Sequence, residues 1–393
     1  MKYDFETLIN RKPVWSSKWN SLKKSDGSPV DEGVIGFGLA DMDFKNAPEI
    51  GEAIKEMIDT TPFGYTMTPP SYYDAVLGWQ TRRHGWTPEK DWLVMIPGVV
   101  PALFIGLQTI EPNSNVIITP PVYHPFARAV NGTGHHLIES PLIHENGTYN
   151  IDFEDFETKI KENNVKAFIF CNPHNPVGRV WTKEEVEKLC KICCENGVLI
   201  LSDEIHNDLI LPGYQHTSVG TLSNEVLKNS IICTAPSKTF HMAGVKCSNI
   251  YIPDEDRRRK FTAVLSRNSI SGINMFAYAA CTAAYDKCEG WLDELLIKLD
   301  ENKKLVESYC AAELPEVGVT KLEGTYLMWL NFSFLGMERD ERKIFMTDKA
   351  QFFTNAGEMF GTGGENFERV NIACPTYALQ AALERVSKAV KER

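Results

Sequence analysis

The stretch Ser230–Ser248 reads SIICTAPSKTFHMAGVKCS, and it places a lysine where a short apolar strand is predicted to end. The apolar run is Ile231–Cys233, and Thr-Ala-Pro then leads to Ser237 and Lys238. A lysine at the end of a buried strand is partly desolvated, which lowers its pKa and makes the amine a nucleophile. The alternative, an ordinary surface lysine after a strand, stays open from this stretch alone.

Similar junctions recur along the chain, because short apolar runs repeatedly end in polar clusters and alternate with amphipathic patterns. This alternation predicts an α/β fold, with a mostly parallel sheet that is covered by helices on both faces. Thr182–Glu185 is a capping box that begins one of these helices. In sheets of this kind the ligand lies beyond the carboxyl ends of the strands. The junctions are Leu93–Ile96 before Pro97–Pro101, Val116–Thr119 before Pro120–Pro125, Ala167–Phe170 before Cys171–Gly178, and Val198–Ser202 before Asp203–His206.

The chain is predicted to form two packed domains, since 393 residues exceed the usual size of one domain and no linker or repeat divides them. Residues 48–290 carry the alternation of strands and helices and are predicted to form a large α/β domain. Residues 291–393 combine a long helix, a strand and a terminal amphipathic helix, which favours a smaller α+β domain. The loop-rich residues 1–47 are predicted to pack with the small domain.

Composition favours a soluble cytoplasmic protein without nucleic-acid or membrane partners. The formal net charge is −11 and the pI is about 5.4, whereas nucleic acids and anionic membranes attract cationic surfaces. The N-terminal sequence lacks the apolar core of a signal peptide, and the apolar stretch near residue 100 is broken by prolines. Ten cysteines without a repeated spacing are typical of reduced thiols.

Five polar residues, most of them at these strand ends, could act at one site. An amine such as that of Lys238 can form a Schiff base with an aldehyde cofactor, and a carboxylate such as Asp203 can keep a pyridinium nitrogen protonated. Asn175 and His206 could donate to a phenolate oxygen, while Arg369 could bind a substrate carboxylate in bidentate fashion. Free amides at a helix start that follows a glycine could hold a phosphate. Together these groups describe one cofactor, pyridoxal phosphate.

The same segments resemble the ordered signatures of fold-type I enzymes of the class I and II aminotransferase-like family, which bind pyridoxal phosphate. Further segments resemble the cystathionine β-lyase, or cysteine-S-conjugate β-lyase, branch of that family, so that the resemblance covers nearly the whole chain. The family segments are CNPHNPVGRVW (171–181), LSDEIH (201–206), APSKTFHMAG (235–244) and FERVNIACP (367–375), and the branch segments are ADMDF (40–44), GYT (64–66), RRHGW (82–86), PGVVPAL (97–103) and PPVYHPF (120–126).

The resemblance implies a role for each residue around the cofactor ring. Lys238 would be the Schiff-base lysine and would also move the Cα proton of the substrate. Asp203 would hold the pyridinium nitrogen, Asn175 and His206 would address the ring hydroxyl, and Tyr123 would stack on the ring. His206 stands where related transaminases usually carry tyrosine. Lys238, Asp203 and Tyr123 are thus the implied catalytic residues.

The resemblance also implies how the cofactor phosphate is held. The backbone amides of Val99 and Val100 would bind it together with Ser237 and Lys246. Tyr65 would reach the same phosphate from a second copy of the chain. The implied active unit is therefore a homodimer.

On the substrate side, the resemblance implies that Arg369 binds the α-carboxylate, with Asn175 and Tyr65 beside it. Two positions depart from the family pattern. Many relatives carry serine where this chain has Ala235, so one phosphate ligand would be missing. The lyase branch often has tryptophan where this chain reads Gly36–Leu39, which would make the pocket wall smaller and more flexible.

The activity implied by the resemblance is β-elimination on cystathionine or another cysteine S-conjugate, which gives a thiol, pyruvate and ammonia. The alternative is an aminotransferase of an aromatic or other apolar amino acid, since the same lysine would carry the proton in both reactions. A third alternative is a regulatory protein that keeps the cofactor and binds a partner. No DNA-binding extension or basic face accompanies that alternative.

Two clusters of cysteine and histidine residues could in principle bind a metal ion, but neither is predicted to do so. Cys190, Cys193 and Cys194 have no second ligand pair, and their spacing fits the buried face of a helix. His135 and His136, together with His144, lie in a polar segment and are predicted to be solvated. No metal site is therefore predicted.

Overall fold

The protein, described for all residues 1–393 by a computed structural model, contains thirteen strands. In chain order these are β1 (Leu93–Ile96), β2 (Asn115–Ile118), β3 (His136–Glu139), β4 (Ile143–Glu145), β5 (Thr148–Asn150), β6 (Val165–Cys171), β7 (Leu199–Asp203), β8 (Ser230–Thr234), β9 (Ser248–Tyr251), β10 (Gly318–Val319), β11 (Leu327–Asn331), β12 (Asn355–Ala356) and β13 (Phe367–Asn371).

Fourteen α-helices accompany the strands, and none combines the length and the apolar character that a membrane span requires. They are α1 (Ser17–Asn20), α2 (Pro48–Thr60), α3 (Pro70–His84), α4 (Val99–Leu107), α5 (Pro125–Gly132), α6 (Phe153–Glu162), α7 (Lys183–Glu195), α8 (Asn224–Lys228), α9 (Pro236–Thr239), α10 (Glu255–Arg267), α11 (Met275–Lys287), α12 (Glu289–Glu313), α13 (Arg339–Ile344) and α14 (Thr376–Lys391).

Seven strands form a large sheet in the order β1-β9-β8-β7-β6-β2-β3. All neighbouring pairs from β8 to β3 are parallel, and β9 alone runs against the others. Both faces of the sheet are buried: within β8, Ile231 and Cys233 pack with α4 and α10, whereas Ile232 faces the opposite core. The predicted mostly parallel sheet between helices is therefore confirmed.

The carboxyl ends of the central strands place three polar segments side by side. Cys171 at the end of β6 is in register with Asp203 at the end of β7, which is in register with Cys233 near the end of β8. The segments that follow these strands carry Asn175 and Lys238, together with the turn after Asp203. Residues distant in sequence therefore meet along one edge of the sheet.

The second sheet is antiparallel, in the order β10-β11-β13-β12, and Arg369 lies in the middle of β13 between Trp329 and Asn355. Helices α12 and α14 pack together beside it. The smaller α+β unit predicted for the C-terminal third is present. The bounds proposed from the sequence, 1–47, 48–290 and 291–393, stay a prediction.

The N-terminal segment is joined to this second sheet by backbone hydrogen bonds. The Phe37 amide donates to the Phe353 carbonyl, and the Asn371 amide donates to the Phe37 carbonyl, both at 2.7 Å. A Cβ atom added at Gly38 would lie 2.9 Å from the Thr354 carbonyl oxygen. Gly38 therefore permits a close approach of two backbones, and the Gly36–Leu39 segment is held rather than loose.

The histidine prediction is wrong for His135, which is buried. The Ser114 amide donates to His135 Nδ1 at 3.2 Å, and the Nε2 atom bonds the Leu107 carbonyl at 2.9 Å. The side chain thus replaces water as the partner of two backbone groups, a role that a polar local sequence does not reveal. His136 is exposed, as predicted.

The capping box predicted at the start of α7 is present. The Glu185 amide donates to Thr182 Oγ1, and the Thr182 amide donates to the Glu185 side chain.

Thr182→Ala removes one of the two bonds of this capping box, so we expect a loss of about 1 kcal/mol in the free energy of unfolding, measured with urea. The control is Lys183→Ala, whose only ionic partner lies 3.7 Å away at an exposed site. Equal losses in both variants would contradict a role for the cap.

Candidate active site

A cavity lies beyond the carboxyl ends of β6 and β7, where the fold predicts a ligand site. Eleven residues line it, and seven of them are candidates from the sequence. These candidates are far apart in the sequence, since they come from four strand ends and from α9, but the fold brings them together around one cavity. They are Val99, Val100, Tyr123, Asn175, Asp203, His206 and Lys238.

Lys238 projects from the short helix α9 into this cavity, with its side chain half-buried. Its Nζ atom donates a hydrogen bond of 2.7 Å to the carbonyl oxygen of Ala40. Burial, and then the positive charge of Arg369, lower the pKa of Lys238 to about 8. A substantial neutral fraction near physiological pH makes this amine a nucleophile and a base. The surface-lysine alternative is therefore excluded.

Asp203 ends β7 and is almost completely buried. The Ile205 amide donates to its Oδ1 atom at 3.1 Å. Burial raises the pKa of Asp203 to about 7, and no cationic side chain forms an ion pair with it. A carboxylate in this state gains a great deal from a nearby cation, such as the protonated nitrogen of a pyridine ring.

His206 offers a test of whether a polar cofactor fits the cavity. The Nδ1 atom of His206 is buried and has no hydrogen-bond partner. Burial holds the pKa of His206 well below its usual value, so the ring is neutral. Its ring packs edge-to-face with the Tyr326 ring, with centroids 5.7 Å apart. Because buried polar atoms in native proteins are nearly always bonded, this orphan fits a polar group of a ligand.

The start of α4 fits the phosphate end of such a ligand. Gly98 caps the helix without a side-chain bond, and the amides of the first residues of a helix have no acceptor within it. Val99 and Val100 occupy these positions and line the cavity. An anion bound there is stabilised by the free amides and by the helix dipole.

Tyr123 lines the same cavity beside the α4 terminus. Its ring meets the edge of Phe126, with centroids 5.9 Å apart. Burial raises the pKa of Tyr123, as does the charge of Asp203. The hydroxyl thus stays protonated, and its flat ring is available for stacking.

Arg369 does not line the cavity but is bonded to a residue that does. Its guanidinium donates to Asn175 Oδ1 at 3.0 Å, to the Gly38 carbonyl at 2.9 Å and to Asn355 Oδ1 at 2.6 Å. All three acceptors are neutral, and no carboxylate lies within ion-pair distance. Arg369 is 3% exposed, and burial lowers its pKa to about 10. It is therefore a buried cation without a counter-charge.

Three residues predicted to bind the cofactor lie outside the cavity. Ser237 is half-buried on α9, and Lys246 is exposed in a left-handed backbone conformation. Tyr65 is fully exposed. Ala235 is buried and offers no hydroxyl, so the departure from the family pattern stands. The roles of Ser237, Lys246 and Tyr65 stay predictions.

Several residues of the site were not predicted. The Ala40 carbonyl accepts from both Lys238 and the Tyr326 hydroxyl, the latter at 3.1 Å. Cys171 and Ile205 complete the walls. The ADMDF segment that begins at Ala40 is distinctive in the sequence, but a backbone acceptor leaves no mark in a pattern of side chains.

A second, larger cavity of about 680 Å³ meets the first one at Ala40 and Lys238. It is lined by the N-terminal segment, α2 and the turn after α9, and it opens to the surface. The amine of Lys238 thus stands between a small enclosed cavity and a wide open one. The polar groups of the first match those that a pyridoxal-phosphate ring needs, and the second opens a path from the surface to Lys238.

The fold and the site define a class of pyridoxal-phosphate enzymes, and the comparison with protein families agrees with it. The model of the family "Aminotransferase class I and II" matches residues 32–386. The chain therefore belongs to this family, as its resemblance in sequence predicted.

Individual relatives lie in the predicted lyase branch. The cystathionine beta-lyase PatB of Bacillus subtilis is 44% identical over 388 residues, which is 98% of this chain and 100% of that protein. The solved structure of cystalysin from Treponema denticola, which contains pyridoxal 5′-phosphate, has a TM-score of 0.96 and 41% identity, with full coverage of both chains. A C-S lyase from Staphylococcus hominis has a TM-score of 0.90 and 30% identity, again over both full chains.

The raised pKa of Asp203 predicts that its removal stabilises the cofactor-free protein. The folded chain holds the proton of this carboxyl more tightly than the unfolded chain, whose aspartates titrate near pH 3.9. The contribution of Asp203 to the free energy of unfolding therefore decreases as the pH rises from about 4 to about 7. Asp203→Asn cannot ionise and escapes this loss, so its free energy of unfolding should exceed that of the unchanged protein near pH 8.

The advantage of Asp203→Asn should vanish as the pH falls to about 4, where both carboxyl and amide are neutral. Urea unfolding of the cofactor-free proteins at both pH values measures it. The control is Asp59→Asn at the exposed end of α2, which should show no such dependence. The prediction is contradicted if the difference in free energy of unfolding between Asp203→Asn and the unchanged protein is smaller near pH 8 than near pH 4. The carboxylate would then not be destabilised by its burial.

Proposed function

We propose that this protein is a pyridoxal-phosphate-dependent carbon–sulfur β-lyase that acts on cystathionine or another cysteine S-conjugate. The observation that carries the proposal is the position of the Lys238 amine in the cavity, with a pKa of about 8. The named relatives are cystathionine β-lyases and the solved neighbours include C-S lyases. They confirm the cofactor and the reaction predicted from the sequence.

When bound, pyridoxal phosphate supplies an aldehyde for amines and a protonated ring that accepts an electron pair from the substrate Cα atom. Lys238 would hold the aldehyde end, and Asp203 would keep the ring nitrogen protonated. His206 and Asn175 would bond the ring hydroxyl, and Tyr123 would cover the ring. The amides at the start of α4 would hold the phosphate, with Ser237, Lys246 and Tyr65 completing that end.

Arg369 would bind the α-carboxylate of the amino-acid substrate. Its buried charge has only the neutral acceptors Asn175, Gly38 and Asn355, so a carboxylate is the partner that it lacks. Its planar guanidinium can form two parallel bonds to a carboxylate and thereby fix the orientation of the Cα–H bond. Orientation of this kind makes a large part of the rate enhancement of enzymes.

Lys238 would carry the protons of the reaction. In its neutral form the amine takes the proton from the substrate Cα atom, and as an ammonium ion it can return that proton to the departing sulfur. A pKa of about 8 keeps both forms accessible near neutral pH. Loss of the sulfur leaves a product that hydrolyses to pyruvate and ammonia.

The aminotransferase alternative differs only in where Lys238 delivers its proton. If Lys238 delivered the proton to the cofactor rather than to the sulfur, hydrolysis by water would release a keto acid, and the amino group of the substrate would stay with the cofactor. The same five side chains serve both reactions, so the products decide between them. A sulfur leaving group on Cβ gives the substrate a second fate, elimination, that an ordinary amino acid does not have.

A homodimer with Tyr65 shared between subunits belongs to this proposal. In the single chain Tyr65 is fully exposed, and the nearby Phe63 and Met67 are largely exposed. Large apolar side chains exposed next to one another favour a surface that is covered by another protein chain.

A cytoplasmic location is also proposed, in keeping with ten cysteines that form no disulfide.

The first expected result concerns the products. Purified protein that carries the cofactor, mixed with L-cystathionine and no keto acid, should release pyruvate, ammonia and a free thiol through many turnovers. Lys238→Ala removes the nucleophile and the proton carrier together, so its turnover should fall by at least about 10³-fold. Coupled assays of pyruvate and thiol measure both proteins. The exposed Lys228→Ala is the matched control and should keep full activity.

The opposite outcome is equally clear. A single turnover that stops with the cofactor in its amine form, and that resumes when a keto acid is added, would assign the chain to the aminotransferases. Undiminished activity of Lys238→Ala would overturn the assignment of the lysine itself.

Mixed dimers test the role of Tyr65. A dimer of one Lys238→Ala chain and one Tyr65→Ala chain contains one intact site only if Tyr65 acts in the site of its partner. Random mixing of the two chains should then restore roughly a quarter of the unchanged activity, because half of the dimers are mixed and each has one intact site. Each variant alone should be far less active. Absence of restored activity in a verified mixed dimer would place Tyr65 in its own site or outside any site.

A further inference from the structure

The amine of Lys238 is anchored to a backbone turn that carries no established role. Its Nζ atom donates to the Ala40 carbonyl at 2.7 Å, and the Tyr326 hydroxyl donates to the same oxygen at 3.1 Å. The Asp41 amide donates to the Leu39 carbonyl at 2.8 Å, which closes a three-residue turn around Ala40. The direction of the Ala40 carbonyl therefore depends on how this turn is held.

Asp41 holds the turn through two charged or polar partners. The guanidinium of Arg11 lies 2.9 Å from Asp41 Oδ2, and the His241 ring bonds Asp41 Oδ1. Burial alone would raise the pKa of Asp41, but the bonds from His241 and Arg11 outweigh it and hold the pKa well below its usual range. The Asp41 carboxylate is therefore ionised and fixed at both oxygens.

His241 lies three residues after Lys238, so the same turn is attached to the lysine segment twice. The His241 backbone is left-handed, with φ of 53°, which a non-glycine residue adopts only at a cost in free energy. Asn46 adds two further bonds, from its Nδ2 atom to the carbonyls of Phe240 and His241, at 2.7 and 2.8 Å. We call residues 39–46 with their bonds to 238–241 the lysine latch.

We propose that Asp41, acting through His241 and Arg11, is a positioning residue for Lys238. The lysine latch fixes the Ala40 carbonyl, and this carbonyl holds the free amine at one place whenever the amine is not covalently bound. The amine then meets the Cα proton from a constant direction. This inference rests on the proposed proton transfer by Lys238, but the latch itself is testable without any substrate.

The charges around Lys238 determine how the loss of Asp41 would be detected. Arg369 on β13 lowers the pKa of the amine, whereas Asp41 and Asp203 raise it, and the neutral His206 and Tyr326 complete the surroundings. Without the negative charge of Asp41 the amine should lose its proton at lower pH. This shift reports that the charge of Asp41 acts on the amine, and kcat reports whether the amine is still correctly placed.

The experiment uses full-length Asp41→Asn and Asp41→Ala, each prepared without cofactor. The rate at which the cofactor-free protein captures added pyridoxal phosphate, followed by visible absorbance, is measured against pH, since only a neutral amine reacts. We expect the midpoint of this pH dependence to move to lower pH in both variants. With cofactor and cystathionine, kcat should fall by about 10- to 100-fold, because small displacements of a reacting group have effects of this size.

The KM for cystathionine should change by less than about threefold, since Arg369 and its bonds are untouched. Asp41→Asn keeps the shape of the side chain and should retain more kcat than Asp41→Ala. The matched control is Asp31→Ala, an exposed aspartate of the same N-terminal segment that pairs with Lys24, and it should leave the midpoint and kcat unchanged.

Two outcomes would overturn the proposal. One is an unchanged kcat in both Asp41→Asn and Asp41→Ala, whether or not the midpoint moves, because the lost charge alone can move the midpoint. The other is a fall in kcat with an unchanged midpoint and a lower thermal unfolding temperature, which would assign Asp41 to the fold alone. If the unchanged protein captured pyridoxal phosphate normally but released no pyruvate, the proposed function would fail while the shift in midpoint still tested the latch.

Discussion

Loss of hydration at the carboxyl edge of the large sheet is the constraint on which the site depends. Lys238, Asp203 and Arg369 are all withdrawn from water there, and each responds in its own way. The amine moves toward neutrality, the carboxyl toward its protonated form, and the guanidinium keeps its charge without a counter-ion. The neutral amine suits a nucleophile and the unpaired guanidinium suits a receptor for a carboxylate, while a carboxyl that is costly to ionise alone gains most when a ring cation lies beside it.

Most of the fold could be predicted because the sheet is buried on both faces. Strands such as β7 and β8 are then short unbroken apolar runs, and their helices carry caps, as at Thr182. The antiparallel course of β9 could not be predicted, because strand direction depends on the connection and not on the residues of the strand. The burial of His135 was missed for a related reason: its partners, including the Leu107 carbonyl, are distant in sequence.

The part of the candidate site that consists of side chains could be predicted from the sequence, whereas the part that consists of backbone carbonyls could not. Asn175, Asp203 and Lys238 follow strands in ordered motifs, and the structure gathers them into one cavity. The carbonyls of Ala40 and Gly38 are equally close to the chemistry, yet any residue has a carbonyl. Only the three-dimensional path of the chain shows which of them points at an amine or a guanidinium.

The bond between Gly38 and Arg369 joins residues 331 positions apart, and Asn371 bonds Leu39 over a similar span. During synthesis the N-terminal segment therefore cannot form these bonds until most of the chain has been made, on the order of tens of seconds at ordinary rates of elongation. Until β13 has been synthesised, the turn around Ala40 lacks the bonds that fix its position, and this part of the cavity lining is not yet formed. The ability to take up a cofactor thus marks the last stage of folding rather than the first.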